Sequence, residues 1–254
     1  MLSNLVERLP MLLLSLPVIL FSLSVHECCH GYAALKLGDS TARNLGRLTL
    51  NPLKHIDPIG FICMVLFHFG WANPVPINTR NFKNPRRDMA LSSAAGPLSN
   101  IVLALAFGGL LRLSLLGVMN TYGQDLSGVL GSVMGGGSAS VSTGFTVVAL
   151  LVYMLYLGVV INFSYAIFNL IPIPPLDGSR MFYVFLPPKW YFAVMKYERI
   201  IMLGMLALLW FGILDLPLGW AVSGLENLTF MLFGIDESAS LALTLVQIFV
   251  GTSL

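Results

Sequence analysis

Two histidines and a glutamate in one short stretch have the residue types and spacing of a metal-dependent hydrolytic site. The stretch reads His26-Glu27-Cys28-Cys29-His30. On a helix, residues four positions apart lie on the same face, so both imidazoles can bind one metal ion. The glutamate beside them can act as a general base on a water molecule. The spacing therefore predicts a catalytic metal centre, with zinc as the metal that such ligands favour.

The surroundings make this motif more specific than it is in a soluble chain. Glu27 is the only formally charged residue between Met11 and Leu35. An apolar stretch of this length can cross a hydrocarbon core of about 30 Å. Ionisable groups are costly there and are a mark of function, which disfavours the alternative of a chance match.

The composition predicts a polytopic membrane protein. Of its 254 residues, 56% are hydrophobic and only 10% are charged, whereas soluble domains carry about 25% charged residues. The net charge of +2 gives no reason to expect nucleic-acid binding, since the basic residues are spread over loops. The three cysteines, Cys28, Cys29 and Cys63, are interpreted as small buried hydrophobic residues. On a helix Cys28 faces away from the metal ligands, whereas Cys29 lies nearer to them and stays an open alternative.

Further apolar stretches predict spans over residues 89–118, 145–170, 200–214 and 239–250. Eight of the 14 basic residues lie between Lys36 and Asp88, which places that segment in the cytoplasm. Within it, residues 59–70 are apolar but short, which is typical of a re-entrant segment. A short strand over residues 43–50 is one option, and whether residues 220–233 enter the membrane stays open.

The expected fold class is therefore an all-α polytopic membrane protein with about five to six transmembrane helices and a re-entrant segment. A short β-hairpin or sheet near the active site is a further option. We expect a single membrane-embedded domain over residues 1–254, with a core over 11–190 and additional C-terminal helices over 191–254.

Asp177 is the candidate third ligand. It follows the third long span through Ile171-Pro172-Ile173-Pro174-Pro175-Leu176, a run that cannot be helical throughout. Along a helix, His26 lies about 15 Å and His30 about 9 Å from the charge at Lys36, so the metal is expected nearer the cytoplasmic face. The alternatives for Asp177 are a solvated loop carboxylate or a helix N-cap.

Other polar residues have two interpretations each. Asn169, just before the prolines, can hydrogen-bond a substrate backbone or an oxyanion, or it can have a structural role as a helix C-cap or in an interhelical hydrogen bond. Asn100 has the same two interpretations, and Asn162 is interpreted as structural. His55 and His68 are alternative ligands, although a lone histidine in such a segment is more often structural.

Three motifs taken together resemble the site-2 protease family of intramembrane zinc metalloproteases. They are His26-Glu27-x-x-His30, the run Gly96-Pro97-Leu98-Ser99-Asn100, and the run from Asn169 to Gly178. Residues 48–60 and 71–78 look like the short prokaryotic branch, which lacks a PDZ domain. The resemblance covers residues 20–182 and rests on the combination, since any single motif is weak.

The resemblance implies a site in which His26, His30 and Asp177 bind one catalytic Zn²⁺ and Glu27 is the general base. It also implies that Asn169 and Asn100 position substrate. The expected activity is hydrolysis of peptide bonds in or near transmembrane segments of membrane proteins.

The expected partners are substrate segments and the lipid bilayer, with a regulatory membrane protein or a second copy as further options and no nucleic acid. The expected location is the prokaryotic plasma membrane. The alternative functions are a membrane metal transporter or a metal-binding sensor, which would use the same ligands.

Overall fold

The computed structural model describes residues 2–67, 70–135, 141–187, 189, 194 and 196–253. Helices account for most of this part of the chain, and short 3₁₀ turns lie between some of them. The described α-helices are α1 (Leu2–Lys36), α2 (Thr41–Asn44), α3 (Pro58–Phe67), α4 (Pro85–Thr121), α5 (Gly123–Gly135), α6 (Thr143–Leu170), α7 (Asp177–Phe182), α8 (Glu198–Trp210), α9 (Asp215–Phe233) and α10 (Glu237–Ser253).

Among the described residues, three helices are long and apolar enough to cross a membrane: α1 from Met11 to Lys36, α4 and α6. Helices α8 and α9 together form a fourth candidate, but they bend by 78° at the short break between them. The all-α membrane character is confirmed, because the described spans are helical and apolar. The predicted count of five to six spans is not confirmed, since these helices supply three spans or up to four.

The short segments between the spans differ from one of the expectations. Residues 41–44 form α2, so the strand proposed over residues 43–50 is not confirmed. In the described part of the chain, the β pairing consists of a single antiparallel bridge between Ile56 and Ala72. The segment predicted to be re-entrant contains α3, whose 10 residues are too few to span a bilayer. His68 lies outside the described residues.

The end of α1 has a clear physical cause. Lys36 lies in its last turn, where a cation interacts favourably with the carbonyl end of the helix. Gly38 follows with φ +111°, a conformation that a side chain disfavours. The N–H of Asp39 then donates back to the carbonyl of Ala34 at 2.9 Å. The chain therefore turns sharply after α1, and Asp39 becomes fully buried.

The chain divides into two compact units. One contains Ile19–Val102 and Asn162–Ser223, and every residue proposed for the metal centre lies within it. The other contains Met1–Val18, Leu103–Ile161 and Gly224–Leu254. In that second unit the fully buried ring of Phe145 packs against the rings of Tyr122 and Phe249.

Candidate metal centre

The side chains of His26, His30 and Asp177 converge on one point. The Nε2 atoms of the two histidines are 3.0 Å apart. The Oδ2 atom of Asp177 lies 3.2 Å from Nε2 of His26 and 3.1 Å from Nε2 of His30. The two imidazoles come from successive turns of α1, whereas the carboxylate comes from the start of α7, 147 positions after His30. Among the described residues this is the one group of three whose ligand atoms have metal-binding spacing.

Hydrogen bonds at the far side of each ring decide which nitrogen faces this point. The Nδ1–H of His30 donates to the carbonyl of Ser92 at 2.8 Å, and a carbonyl oxygen can only accept. The Nδ1–H of His26 donates to Oδ1 of Asn100. Each neutral ring therefore presents an unprotonated Nε2 to the common point.

The convergence of acceptors requires a cation. The Oδ2 atom of Asp177 faces the two unprotonated Nε2 atoms at 3.2 and 3.1 Å. An ionised carboxylate and two nitrogen lone pairs repel one another unless a positive ion lies between them. The donor set is thus two imidazoles and one carboxylate, which is typical of catalytic zinc.

The distances between the three atoms fit zinc. Tetrahedral zinc binds nitrogen and oxygen at about 2.0–2.2 Å, which separates two ligand atoms by about 3.3 Å. The observed separations of 3.0, 3.1 and 3.2 Å are close to that value. Three protein ligands also leave a fourth position for water or substrate, as in other catalytic sites.

A stripe on α4 matches the stripe of ligands on α1. Ser92, Gly96 and Asn100 lie four positions apart and so share one face of α4. Ser92 contacts His30 and Asn100 contacts His26, so the two helix segments run antiparallel at this contact. A Cβ on Gly96 would lie 2.7 Å from Cε1 of His26 and closer still to His30. The missing side chain at Gly96 therefore lets α4 approach both imidazoles.

The buried amide of Asn100 continues into a chain of polar side chains. Its Nδ2 donates to Oδ1 of Asn162 at 2.8 Å, and Nδ2 of Asn162 donates to Oγ of Ser22 at 2.9 Å. All three residues are fully buried. Ser22 lies one turn before His26 on α1, so this polar ladder ties α1, α4 and α6 together beside the ligands.

The proline-rich turn after α6 delivers Asp177. A Cβ on Gly178 would lie 2.6 Å from the carbonyl oxygen of Ile171 and closer still to that of Leu170. The glycine therefore allows α7 to begin directly against the last carbonyls of α6. Asp177 is the first residue of α7, and its side chain is 15% exposed, so it is neither a freely solvated loop carboxylate nor the N-cap residue of that helix.

Glu27 is buried and receives a hydrogen bond from outside its helix. Its exposed fraction is 8%. The N–H of Val75 donates to its Oε2 at 2.8 Å. Val75 lies in the irregular segment between the bridge at Ala72 and the 3₁₀ turn at Thr79–Asn81. The residue pattern of this segment does not predict a role for it in the site.

Other candidates lie apart from the three ligands. The Nδ2 of Asn169 donates to the carbonyl of Tyr165 at 3.0 Å within α6. His55 is fully buried and its Nε2 donates to the carbonyl of Thr49 at 2.8 Å. Neither His55 nor Cys28 nor Cys29 belongs to the ligand cluster that the described residues form.

The polar partners of the ligands were only partly accessible to sequence reasoning. The sequence predicts a structural role for Asn162 and either a structural or a substrate-binding role for Asn100. It predicts no role for Ser22 or Ser92. A usable signal was the spacing of four between Ser22, His26 and His30 on one helix, and between Ser92, Gly96 and Asn100 on another.

Comparison with known proteins gives consistent matches. The model of peptidase family M50 matches residues 15–212, a range that contains all the residues of the centre. "Putative zinc metalloprotease YwhC" of Bacillus subtilis is 40% identical over 180 residues, covering 71% of this chain and 71% of that protein. "Putative zinc metalloprotease Rip2" of Mycolicibacterium smegmatis is 34% identical over 97 residues, covering 37% of this chain and 38% of that protein. No solved structure has significant similarity to the chain.

Proposed function

Because the chain belongs to peptidase family M50, it is a zinc-dependent metalloendopeptidase of the membrane, and we propose that it hydrolyses peptide bonds in or near the membrane-spanning segments of other membrane proteins. The observation that carries this proposal is the placement of the ligands. His26 and His30 lie inside an apolar span, and Asp177 reaches them at 3.2 and 3.1 Å. A substrate segment in the bilayer can meet such a site directly.

We assign His26, His30 and Asp177 as the ligands of one zinc ion. When bound there, zinc supplies Lewis acidity, which polarises a peptide carbonyl and makes a water molecule more acidic. The ring bonds to Ser92 and Asn100 keep both Nε2 atoms directed at the ion. This outer support also fixes the tautomer of each imidazole.

Glu27 is the proposed general base. It adjoins His26 on α1, and its Oε2 is held by Val75, which leaves Oε1 to accept a proton from the attacking water. The same carboxyl group can then deliver that proton to the leaving amine nitrogen. A peptide in a helix hides its carbonyls in backbone hydrogen bonds, so the substrate has to unwind locally before it reacts.

The remaining expectations about substrate and location stay proposals. Asn169 is proposed to contact the substrate backbone from the end of α6, where it is half-buried. The active site is proposed to lie nearer the cytoplasmic face of a plasma membrane, because α1 ends at Lys36 and a basic loop follows. A regulatory membrane partner or a second copy remains a further proposal.

A transporter or sensor role has no comparable support. A transport path across the bilayer needs successive groups of ligands. Within the described residues, the metal-binding spacing occurs at the one cluster of His26, His30 and Asp177.

The decisive test compares the wild-type chain with Glu27→Gln in the membranes of cells that express each. Newly formed peptide N-termini are quantified by mass spectrometry, and the zinc content of each purified protein is measured. We expect Glu27→Gln to lose the cleavage products and to retain zinc, because the ligands are unchanged. Cys28→Ala, a neighbouring change outside the ligand cluster, is the matched control and should retain both. The proposal fails if Glu27→Gln forms the same products at the same rate.

A further inference from the structure

A short irregular segment holds the carboxylate of Glu27. We name residues Asn73–Pro76 the strap. In the middle of the strap, the N–H of Val75 donates to Oε2 of Glu27 at 2.8 Å, and both groups are buried. A hydrogen bond between an N–H and an ionised carboxylate is stronger than one between neutral groups. The strap therefore restricts a side chain that is otherwise free to adopt several rotamers.

The strap packs against α1 at Gly31, where the helix has no side chain. Gly31 lies four positions after Glu27 and so on the same face of the helix. A Cβ on Gly31 would lie 2.9 Å from Cγ1 of Val75 and 3.2 Å from Cβ of Ala42. The side chain of Val75 is 7% exposed, so it packs over the bare backbone of Gly31. This close approach brings the Val75 amide within reach of Glu27.

Two charged side chains anchor the strap and the chain that follows it. Nη2 of Arg47 donates to the carbonyl of Asn73 at 2.8 Å and to that of Pro74 at 3.2 Å. After the strap, the N–H of Asn78 donates to Oδ2 of Asp39 at 2.7 Å. The N–H of Asn73 donates to the carbonyl of His55 at 2.8 Å. The strap is thus held on both sides of Val75.

We propose that the strap is the positioning element of the catalytic base, and that Arg47 is a positioning residue that acts through it. The proposal rests on the proposed function, in which Glu27 takes the proton from water. With Oε2 fixed by Val75, Oε1 is presented in one orientation to the reacting water. A displacement of about 1 Å in such a group can cost about 100-fold in rate.

The substitution Val75→Pro removes the hydrogen bond between the strap and Glu27. Because Pro76 follows it, Val75 is confined to extended backbone conformations. Val75→Pro removes the N–H donor and places the ring Cδ where the hydrogen of that bond lies, so Oε2 of Glu27 can no longer be held there. Ile77→Pro is the matched control, because in the described part of the chain the N–H of Ile77 donates to no acceptor. Each variant adds one proline to the same extended stretch.

The kinetic experiment uses the full-length zinc-loaded protein in proteoliposomes with a fluorescently tagged single-span membrane protein that the wild type cleaves. For Val75→Pro we expect kcat to fall by about 100-fold, with KM and zinc content at wild-type values. Ile77→Pro should stay within about threefold of the wild-type kcat, since it leaves the bond to Glu27 intact. A wild-type kcat in Val75→Pro, or an equal loss in Ile77→Pro, overturns the proposal.

Substitution of Arg47 is a second test, with a smaller expected effect on kcat. Arg47→Ala should lower kcat by about tenfold at unchanged KM, and Arg47→Lys should restore part of it, because an ammonium can still donate to a strap carbonyl. Arg43→Ala, which removes an exposed arginine from α2, is the matched control and should leave kcat unchanged. Equal values of kcat in Arg47→Ala and the wild type contradict the role of Arg47.

Hydrogen exchange separates this proposal from the proposed function. The exchange of the Val75 amide is followed by mass spectrometry in the wild type and in Glu27→Ala, which needs no cleavage. We expect exchange at least about tenfold faster in Glu27→Ala, because the acceptor is gone. Unchanged exchange overturns the strap proposal even if Glu27→Gln is inactive. Conversely, if Glu27→Gln is active, Glu27 is not the general base, even though the hydrogen bond from Val75 to Glu27 is still observed in the wild type.

Discussion

The proposed ligands and the proposed base of this centre are held by different kinds of structure. His26 and His30 are fixed by groups on α4, Ser92 and Asn100, which lie four positions apart from Gly96 on one helix face. Glu27 is instead fixed by one backbone amide from the irregular strap. The ligand side therefore depends on the packing of helices, whereas the base side depends on a loop and its anchors.

The location of each support explains the difference. Inside a bilayer no water satisfies a polar group, so the amides of Asn100 and Asn162 must bond each other and Ser22. The strap lies in the chain beyond the C-terminal end of α1, among polar loop residues. There an irregular backbone can find partners in Arg47 and Asp39. The comparison predicts that substitutions among the α4 residues around His26 and His30 weaken zinc binding. Substitutions in the strap and its anchors should lower kcat alone.

The largest effect is expected at Gly96. Gly96→Ala places a methyl group against both imidazoles, and overpacking of this kind costs about 1–3 kcal/mol in stability. We expect the zinc affinity to fall by more than about 100-fold, since the added atom displaces the ligand nitrogens themselves. Competition with a chelator measures the affinity, and thermal unfolding in detergent measures the stability.

Gly117→Ala is the control for Gly96→Ala. Gly117 lies on the same helix, and a Cβ added there would have no atom within 4 Å. Its replacement should leave zinc binding unchanged and stabilise the helix by up to about 1 kcal/mol. Normal zinc affinity in Gly96→Ala would show that the ligand side tolerates a shift of α4, and the contrast between the two sides would lose its basis.

An intermediate effect is expected at Asn100. Asn100→Leu removes the acceptor for His26, and loss of such an outer partner typically weakens metal binding by about 10–100-fold. Asn100→Asp keeps an acceptor and should lose less. At saturating zinc, cleavage by Asn100→Leu should recover largely, whereas cleavage by Val75→Pro should not. A raised KM at saturating zinc would instead support the substrate-binding role predicted for Asn100.

The smallest effect is expected at Asp39, the anchor beyond the strap. Burial alone would raise the pKa of this carboxyl, but hydrogen bonds from Thr41, Asn81 and Asn78 hold the pKa below its usual range. Asp39→Asn presents an amide where the carboxylate accepts those bonds, which should cost about 1–3 kcal/mol at neutral pH. Thermal unfolding in detergent at several pH values measures this cost.

The pH dependence of the Asp39 effect follows from the direction of the shift. A carboxyl with a lowered pKa in the folded state stabilises the fold fully above its unfolded pKa of about 3.9. That contribution is lost as the pH falls below this value and through the folded-state pKa. The difference between wild type and Asp39→Asn should therefore be constant near neutral pH and shrink below about pH 4. A difference that stays constant down to pH 3 contradicts this role.

Asp236→Asn is the control for Asp39→Asn. The N–H of Ala239 and the hydroxyl of Ser238 donate to Asp236 and hold its pKa below the usual range, but it lies in the other compact unit. Because Asp236 is exposed, we expect a smaller loss of stability there. We also expect no loss of kcat, whereas Asp39→Asn should lower kcat modestly through the strap. If Asp39→Asn and Asp236→Asn have the same kcat, then Arg47 anchors the strap and Asp39 does not.

Local patterns accounted for the parts of the molecule that depend on nearest neighbours along a helix. The i, i+4 spacing of His26 and His30 places both on one face of α1 wherever that helix packs. The long apolar runs predicted α4, α6 and the Met11–Lys36 part of α1 to within about four residues, because a bilayer demands helices of that length. The proline run predicted an irregular turn before Asp177. These features need no knowledge of what lies opposite.

The partners of those residues had no such local signal. Nothing in the spacing of Asn73, Pro74 and Val75 indicates that an amide there meets a carboxylate 48 positions earlier. The strand offered over residues 43–50 was not confirmed, because residues 43 and 44 belong to α2 and residues 45–50 form turns and irregular chain. The span count also depended on the bend between α8 and α9, which the apolar pattern did not reveal.

The amino-acid sequence by itself determined the candidate chemistry of this protein: two imidazoles and a carboxylate within one apolar span, and a further carboxylate after a proline run. Only the tertiary structure decided how that chemistry is oriented. Hydrogen bonds to Ser92 and Asn100 determine which ring nitrogen of each histidine faces the centre. The missing side chains of Gly96 and Gly31 allow close packing, and the N–H of Val75 holds Oε2 of Glu27. The reason is that residue type and helical spacing are local properties, whereas the direction of a side chain is set by hydrogen-bond partners that only folding brings together.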